Sequence, residues 1–89
     1  MRKGFLVMRI IMPAMLPWTE PEIDFYSTFQ KFSDAYKDME RRWEEEKEAL
    51  SSRCDYISFS EGNTMRGVQH AANVAGGAIV VMFVIKEVG

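Results

Sequence analysis

Apolar residues alternate along three stretches of the chain in the period-two pattern of β-strands, at residues 4–12, 54–60 and 78–88. In the first stretch both sides of the strand are apolar, interrupted only by Arg9. The last stretch, AIVVMFVIKEV, is also apolar on both sides. Strands of this kind are usually covered on both faces. The pattern therefore predicts a small sheet of about three strands that needs a covering layer on each side.

A long amphipathic helix is predicted between the first two strands, from residue 20 to about residue 50. Large apolar side chains recur there at alternating spacings of four and three residues. Thr19 and Glu22 fit a capping pattern at its start, and Pro21 lies in the first turn, where proline is tolerated. The apolar stripe consists of Phe25, Phe29, Phe32, Tyr36, Met39, Trp43 and Leu50. At 1.5 Å per residue such a helix is about 45 Å long.

The segment between the last two strands, residues 61–77, is rich in glycine and in small side chains. Met65, Val68, Ala72 and Ala75 have helical spacing, and the glycines that follow would end a helix well. A short helix is the first interpretation and an ordered loop is the alternative. The chain is thus predicted to be one α+β domain, residues 1–89, ordered β-α-β-(short helix or loop)-β.

The predicted elements leave apolar surface that one chain does not cover. A helix of about 45 Å overshoots strands of about 30 Å, and one helix covers only one face of a sheet. Large exposed apolar patches usually mark a partner surface, and most soluble oligomers are homo-oligomers. We therefore expect a homo-oligomer, with a helix that breaks near residue 40 and folds back as the alternative. The expected interface residues are Phe29, Phe32, Tyr36, Met39, Trp43 and Leu50.

Charge and composition limit the kinds of partner that we expect this protein to bind. Hydrophobic residues make up 47% of the chain, which argues against disorder. Residues 20–48 carry ten acids and five bases, so the remainder is mildly basic, but too weakly for a nucleic-acid surface. The apolar runs fall short of the roughly 20 residues of a membrane-spanning helix. The amino-terminal stretch imitates a signal peptide, but Arg9 interrupts it, so we expect a cytoplasmic protein.

The sequence contains few residues that indicate a catalytic site or a metal site. Cys54 and His70 are the only cysteine and the only histidine, which are too few for a zinc site. A lone cysteine is more often a small buried apolar side chain than a nucleophile. No phosphate-loop or dinucleotide fingerprint is present. The protein is therefore predicted not to be an enzyme and to hold no cofactor or metal.

Residues 60–70 have the composition of a simple anion site. Short polar side chains follow a strand there, and a helix beginning near residue 63 or 64 would present free N–H groups to an anion. Arginine adds a planar guanidinium suited to phosphate or carboxylate. The candidate ligand-binding residues are Ser60, Asn63, Thr64, Arg66 and His70. The alternative is that these residues are ordinary helix caps in a connection between strands.

The succession of an apolar strand, a long acidic helix, YISFS and AIVVMFVIKE resembles small sporulation- and phage-associated β-α-β-β proteins of unknown function. Residues 61–77 depart from that pattern, which has a shorter connection at this point. The chain is also similar in size to phage-encoded oligomers that sequester host nucleotide signals. These resemblances imply a non-enzymatic, anti-defence homo-oligomer that takes a nucleotide-like anion between its subunits. The alternative is an interaction or inhibitor module acting through its long helix.

Overall fold

One antiparallel sheet and one helix make up the part of the chain that the structure describes. The structure is a computed structural model that describes residues 4–13, 20–64, 67–75 and 78–88, with the backbone alone for 63–64 and 67–69. Its elements are β1 (Gly4–Pro13), β2 (Glu22–Phe29), α1 (Phe32–Arg53), β3 (Ile57–Thr64), β4 (Gly67–Val74) and β5 (Ile79–Val88). The strands lie in the order β2-β1-β5-β4-β3, so the α+β class is confirmed but the count of about three strands is wrong.

The two strands with the clearest alternation form the centre of the sheet. β1 and β5 pair along their whole length, from Gly4 opposite Val88 to Pro13 opposite Ile79. Both were predicted within a residue of their observed bounds, because apolar alternation on two sides is a strong local signal. β2 joins the outer edge of β1, and β4 and β3 continue the sheet beyond β5.

The predicted helix begins twelve residues later than its pattern suggested. Residues 22–29 form β2 instead, and Asp24 lies opposite Arg9 in the ladder with β1. This segment is rich in aromatic and β-branched residues, which favour strands, and its pairing with β1 outweighs the capping pattern before it. The remaining helix, α1, has 22 residues and is about 33 Å long, so it no longer overshoots the strands.

The segment predicted as a short helix or loop is part of a hairpin. Residues 57–64 and 67–74 pair as β3 and β4, with Phe59 opposite Ala72. The second predicted strand, residues 54–60, therefore starts three residues late, since α1 runs on to Arg53. The Cys54 N–H then donates to the Leu50 carbonyl at 2.9 Å and caps the helix end. Alanine has a high helix propensity, but Ala72 is fully buried beneath α1, where a small side chain allows close packing.

The core lies between α1 and one side of the sheet, which we call the helix-facing side. Trp43 is fully buried there, with its ring centroid 5.8 Å from that of Phe83 and 5.8 Å from that of Phe59. Met39 is fully buried as well. Met39 and Trp43 were expected at an interface between chains, but the sheet of their own chain covers them.

The other expected interface residues vary in exposure. Phe29 and Leu50 are partly buried against the core, whereas Phe32 and Tyr36 are exposed near the start of α1. The apolar stripe of the helix therefore gives little reason to expect an assembly, because much of it is buried within the chain. Assembly itself stays a prediction. In the described part of the chain, no helix is both long enough and apolar enough to cross a membrane.

Candidate functional site

The expected anion-binding residues do not converge on one site. Glu61 lies opposite His70 in the β3–β4 ladder, and both contact α1, so they lie on the helix-facing side. Ser60 lies opposite Ala71 and points to the other side of the sheet, because successive residues of a strand alternate. Its hydroxyl donates to the Ala71 carbonyl at 3.4 Å. A single small ligand cannot contact both Ser60 and His70.

The remaining members of that set are only partly described. Asn63 and Thr64 belong to β3, and their side chains lie outside the description, as does the whole of Arg66. Residues 63 and 64 belong to a strand and do not begin a helix. The free N–H groups of a helix N-terminus, which were expected to bind an anion, are therefore not found at these two residues. An anion site at Arg66 stays a prediction.

His70 is the centre of a polar cluster between α1 and the sheet. Its side chain is 3% exposed, and its Nε2 lies 2.5 Å from Oε1 of Glu40. Glu40 also accepts a hydrogen bond from Tyr36, and this bond is the main reason that the pKa of Tyr36 is raised. Nδ1 of His70 has no hydrogen-bond partner within the described residues. The ring of Trp43 packs beside the imidazole, with centroids 5.4 Å apart.

Glu61 forms the second half of this cluster. Its Oε1 accepts hydrogen bonds from Nε1 of Trp43 at 2.5 Å and from Nζ of Lys47 at 2.9 Å. The bond from the indole, followed by the bond from the ammonium group, lowers the pKa of Glu61. Two carboxylates, Glu40 and Glu61, therefore surround His70, and they disfavour a bound anion on this side of the sheet.

We expect Glu61→Gln to destabilise the protein modestly at pH 7, because an amide oxygen accepts hydrogen bonds more weakly than a carboxylate. A carboxylate whose pKa is lowered by folding contributes stability above its unfolded pKa, and loses it as the pH falls through its folded pKa. The difference in urea midpoint between wild type and variant should thus shrink below about pH 4.5. A difference that stays constant from pH 7 to pH 3 would contradict this assignment.

The His70–Glu40 pair has the form of an oriented imidazole, and we compare its surroundings among the described residues with those of a catalytic histidine. A carboxylate that fixes a histidine ring is common in enzymes, where the other nitrogen faces substrate. Here the ring is buried beneath α1. Cys54 follows the end of α1, fourteen residues beyond Glu40 and thus about 21 Å away along the helix axis. Among the described residues, His70 therefore contacts Glu40 and Trp43 inside the fold and lies far from Cys54.

A wide, open groove lies beside α1 and does not suit an anion. It has a volume of about 580 Å³ and is lined by Arg41, Glu44, Glu45, Lys47, Glu48, Ser51 and Phe59. Both of its cations are paired: Arg41 with Asp38 and Glu45, and Lys47 with Glu44 and Glu61. Among the described residues, no three His, Cys, Asp or Glu side chains lie close enough to hold a metal ion.

The side of the sheet opposite α1, which we call the open face, is apolar over three neighbouring strands. It carries Leu6, Met8, Ile10 and Met12 of β1, Ile23 and Phe25 of β2, and Val80, Met82 and Val84 of β5. Phe25 is 65% exposed, Ile23 44% and Met12 42%, whereas Met8, in the middle of β1, is only 8% exposed. No helix or strand of the described chain packs over this face. Continuous apolar surface of this kind marks an interaction site more often than isolated exposed residues do.

The open face changes character across the sheet. Over β3 and β4 it carries Ser58, Ser60 and Asn73 in place of large apolar side chains. The apolar half therefore has a polar border on one side.

Part of the open face could be predicted from the sequence. The apolar alternation on both sides of β1 and β5 is visible there, whereas the spacing of Phe25 predicted a helix. The signal for β2 was the period-two alternation of Ile23 and Phe25 with Asp24 and Tyr26.

The chain matches no protein-family model, no curated protein and no solved structure. The resemblance to β-α-β-β proteins stays a prediction, and the observed order of elements has two more strands than that pattern. Function is therefore argued from the geometry of the chain itself.

Proposed function

We propose that this protein is a non-enzymatic interaction module that binds another protein surface through the open face of its sheet. The observation that carries the proposal is the exposure of Phe25 within a continuous apolar surface on β2, β1 and β5. Exposed aromatic side chains in an apolar patch are typical anchors of protein interfaces. A rigid antiparallel sheet presents them without a large entropic cost of ordering.

The helix is the weaker candidate for the binding surface. Its apolar stripe is largely used within the chain, since Met39 and Trp43 are fully buried. Its outer side carries charged residues that pair with one another, such as Arg41 with Glu45 at 3.3 Å, both of them well exposed. Such solvated ion pairs contribute little to binding. The proposed interaction surface is therefore the sheet rather than the helix.

The anionic, nucleotide-like ligand remains a separate prediction that rests on the composition of residues 60–70. The separation of Ser60 from His70 and the two carboxylates beside His70 count against a site that uses the whole of that set. Phage origin and an anti-defence role likewise remain predictions, since they rest on the overall pattern of the sequence.

A photo-crosslinking experiment tests the proposed function and captures the partner in the same step. The photoreactive residue p-benzoylphenylalanine replaces Phe25 in one variant and Tyr56 in a matched control, in cells that naturally encode the chain. Tyr56 is 79% exposed and lies just before β3, at the edge of the sheet opposite to β2, so it is outside the apolar half of the open face. We expect irradiation to give a protein adduct of defined mass at position 25 and not at position 56.

Mass spectrometry of the adduct identifies the bound protein, which can be a different protein or a second copy of the chain. Absence of any adduct at position 25, or equal adducts at both positions, would contradict the proposed function.

A further inference from the structure

We infer that the occupant of the open face is a second copy of this chain, packed sheet against sheet about a twofold axis. This inference rests on the proposed function, because it names the partner of the same surface. Its product is a dimer of four layers, helix-sheet-sheet-helix, in which the two sheets lie about 10 Å apart.

The size of the face agrees with the needs of a stable dimer. Five strands at a spacing of about 4.8 Å and about 30 Å long give the face a projected area of roughly 700 Å². A standard interface buries about 800 Å² of accessible surface on each partner. The apolar strands β2, β1 and β5 would supply the dry centre, and the serines of β3 part of the polar rim.

The distribution of charge favours a second copy on this face. In a twofold interface the same patch faces itself, so a charged patch would meet its own charge. Lys86, at one end of β5, is the only charged side chain on the open face among the residues described. The opposite surface differs, because the exposed side of α1 is charged, with Glu44, Glu45 and Glu48 among its exposed residues. Glu44 and Glu45 already pair with Lys47 and Arg41 of the same helix, so a second helix would have to displace or bury these ion pairs. The sheet therefore offers two copies a less costly contact than the helix does.

The sequence of the central strand requires the same arrangement. Val81, Phe83 and Ile85 of β5 are buried against the core on the helix-facing side. Val80 and Val84 lie on the open face and are as apolar as a core strand. Strands that are apolar on both sides are usually covered on both sides, and α1 covers only one. A second sheet provides an apolar cover of matching shape.

Sedimentation equilibrium of the purified chain tests this inference. We expect the wild type to have twice the monomer mass of 10.3 kDa at micromolar concentration. Phe25→Glu should raise the dimer Kd by at least about 30-fold, because it places two carboxylates in an apolar contact. Tyr56→Glu, outside the apolar half of the face, should leave the dimer unchanged. Circular dichroism confirms that each variant folds, and Met12→Lys serves as a second variant of the face if Phe25→Glu does not fold.

The outcomes separate this inference from the proposed function. A folded wild-type monomer at 100 micromolar, roughly the weak end of specific dimers, would overturn the sheet dimer. A dimer that both Phe25→Glu and Met12→Lys leave intact would overturn it as well. If the wild type is monomeric but Phe25 forms an adduct with a different protein, the proposed function stands and only the second copy is wrong. If the chain is monomeric and no adduct forms, both proposals fail.

Discussion

Trp43→Ala is expected to lower the free energy of unfolding by about 3–5 kcal/mol, the usual cost of removing a fully buried tryptophan. Trp43 packs against Phe83, Phe59 and His70, so truncation leaves a cavity between α1 and the sheet. The change also removes the indole N–H that Glu61 accepts. Urea denaturation followed by circular dichroism, at one fixed protein concentration, measures the loss.

Tyr56→Ala provides the control, because an exposed side chain away from the core should change stability by no more than about 0.5 kcal/mol. A Trp43→Ala variant of normal stability that has lost only its assembly would contradict this prediction. That result would instead support the interface role that the sequence pattern suggests for Trp43.

Arg9→Ala is expected to cost about 1.5–3 kcal/mol, because it removes the cation from a partly buried group of charges. Nη2 and Nε of Arg9 donate to Oδ2 of Asp24 at 2.7 and 3.0 Å, and Nη1 donates to Oε2 of Glu46 at 3.3 Å. Burial opposes the charge on Arg9, but the bond to Asp24 and the neighbouring acids outweigh it and raise the pKa of Arg9. Truncation leaves Asp24 and Glu46 without the guanidinium group that both of them contact.

The double variant Arg9→Ala/Glu46→Gln separates charge from packing. Removing one of the two carboxylates should restore part of the lost stability, whereas Glu46→Gln alone should be mildly destabilising. Urea midpoints of the four proteins give the coupling energy between the two positions. A coupling near zero, or an Arg9→Ala variant as stable as the wild type, would contradict the proposed role of this group.

Local sequence pattern was enough to predict β1, β5 and the second half of the helix, but not β2. Phe25 and Phe29 are four residues apart, which suits a helix, while Ile23 and Phe25 alternate with Asp24 and Tyr26, which suits a strand. The choice between the two depends on β1, whose Arg9 meets Asp24 across the ladder. That contact joins residues fifteen positions apart, so no short window of sequence contains it.

The polar cluster around His70 could not be predicted from the sequence, for a similar reason. Glu40 and His70 are separated by thirty residues, and their contact depends on how α1 lies across β4. The candidate anion site failed for a related reason, because residues 57–64 and 67–74 form strands and not a helix. Successive residues of a strand alternate between the two faces of the sheet, so Ser60 and His70 lie on opposite faces.

The pairing of β1 with β5 has a consequence for how the molecule comes into being. These strands lie at opposite ends of the described chain, yet they are neighbours at the centre of the sheet. The β1–β2 hairpin emerges early during synthesis and must wait, with one apolar strand edge unpaired, until β5 has been made. Topologies dominated by such distant contacts fold slowly, and unpaired edges are prone to aggregation. The sheet therefore consists of two separate pairs of strands, β2–β1 and β4–β3, until β5 lies between them and joins them.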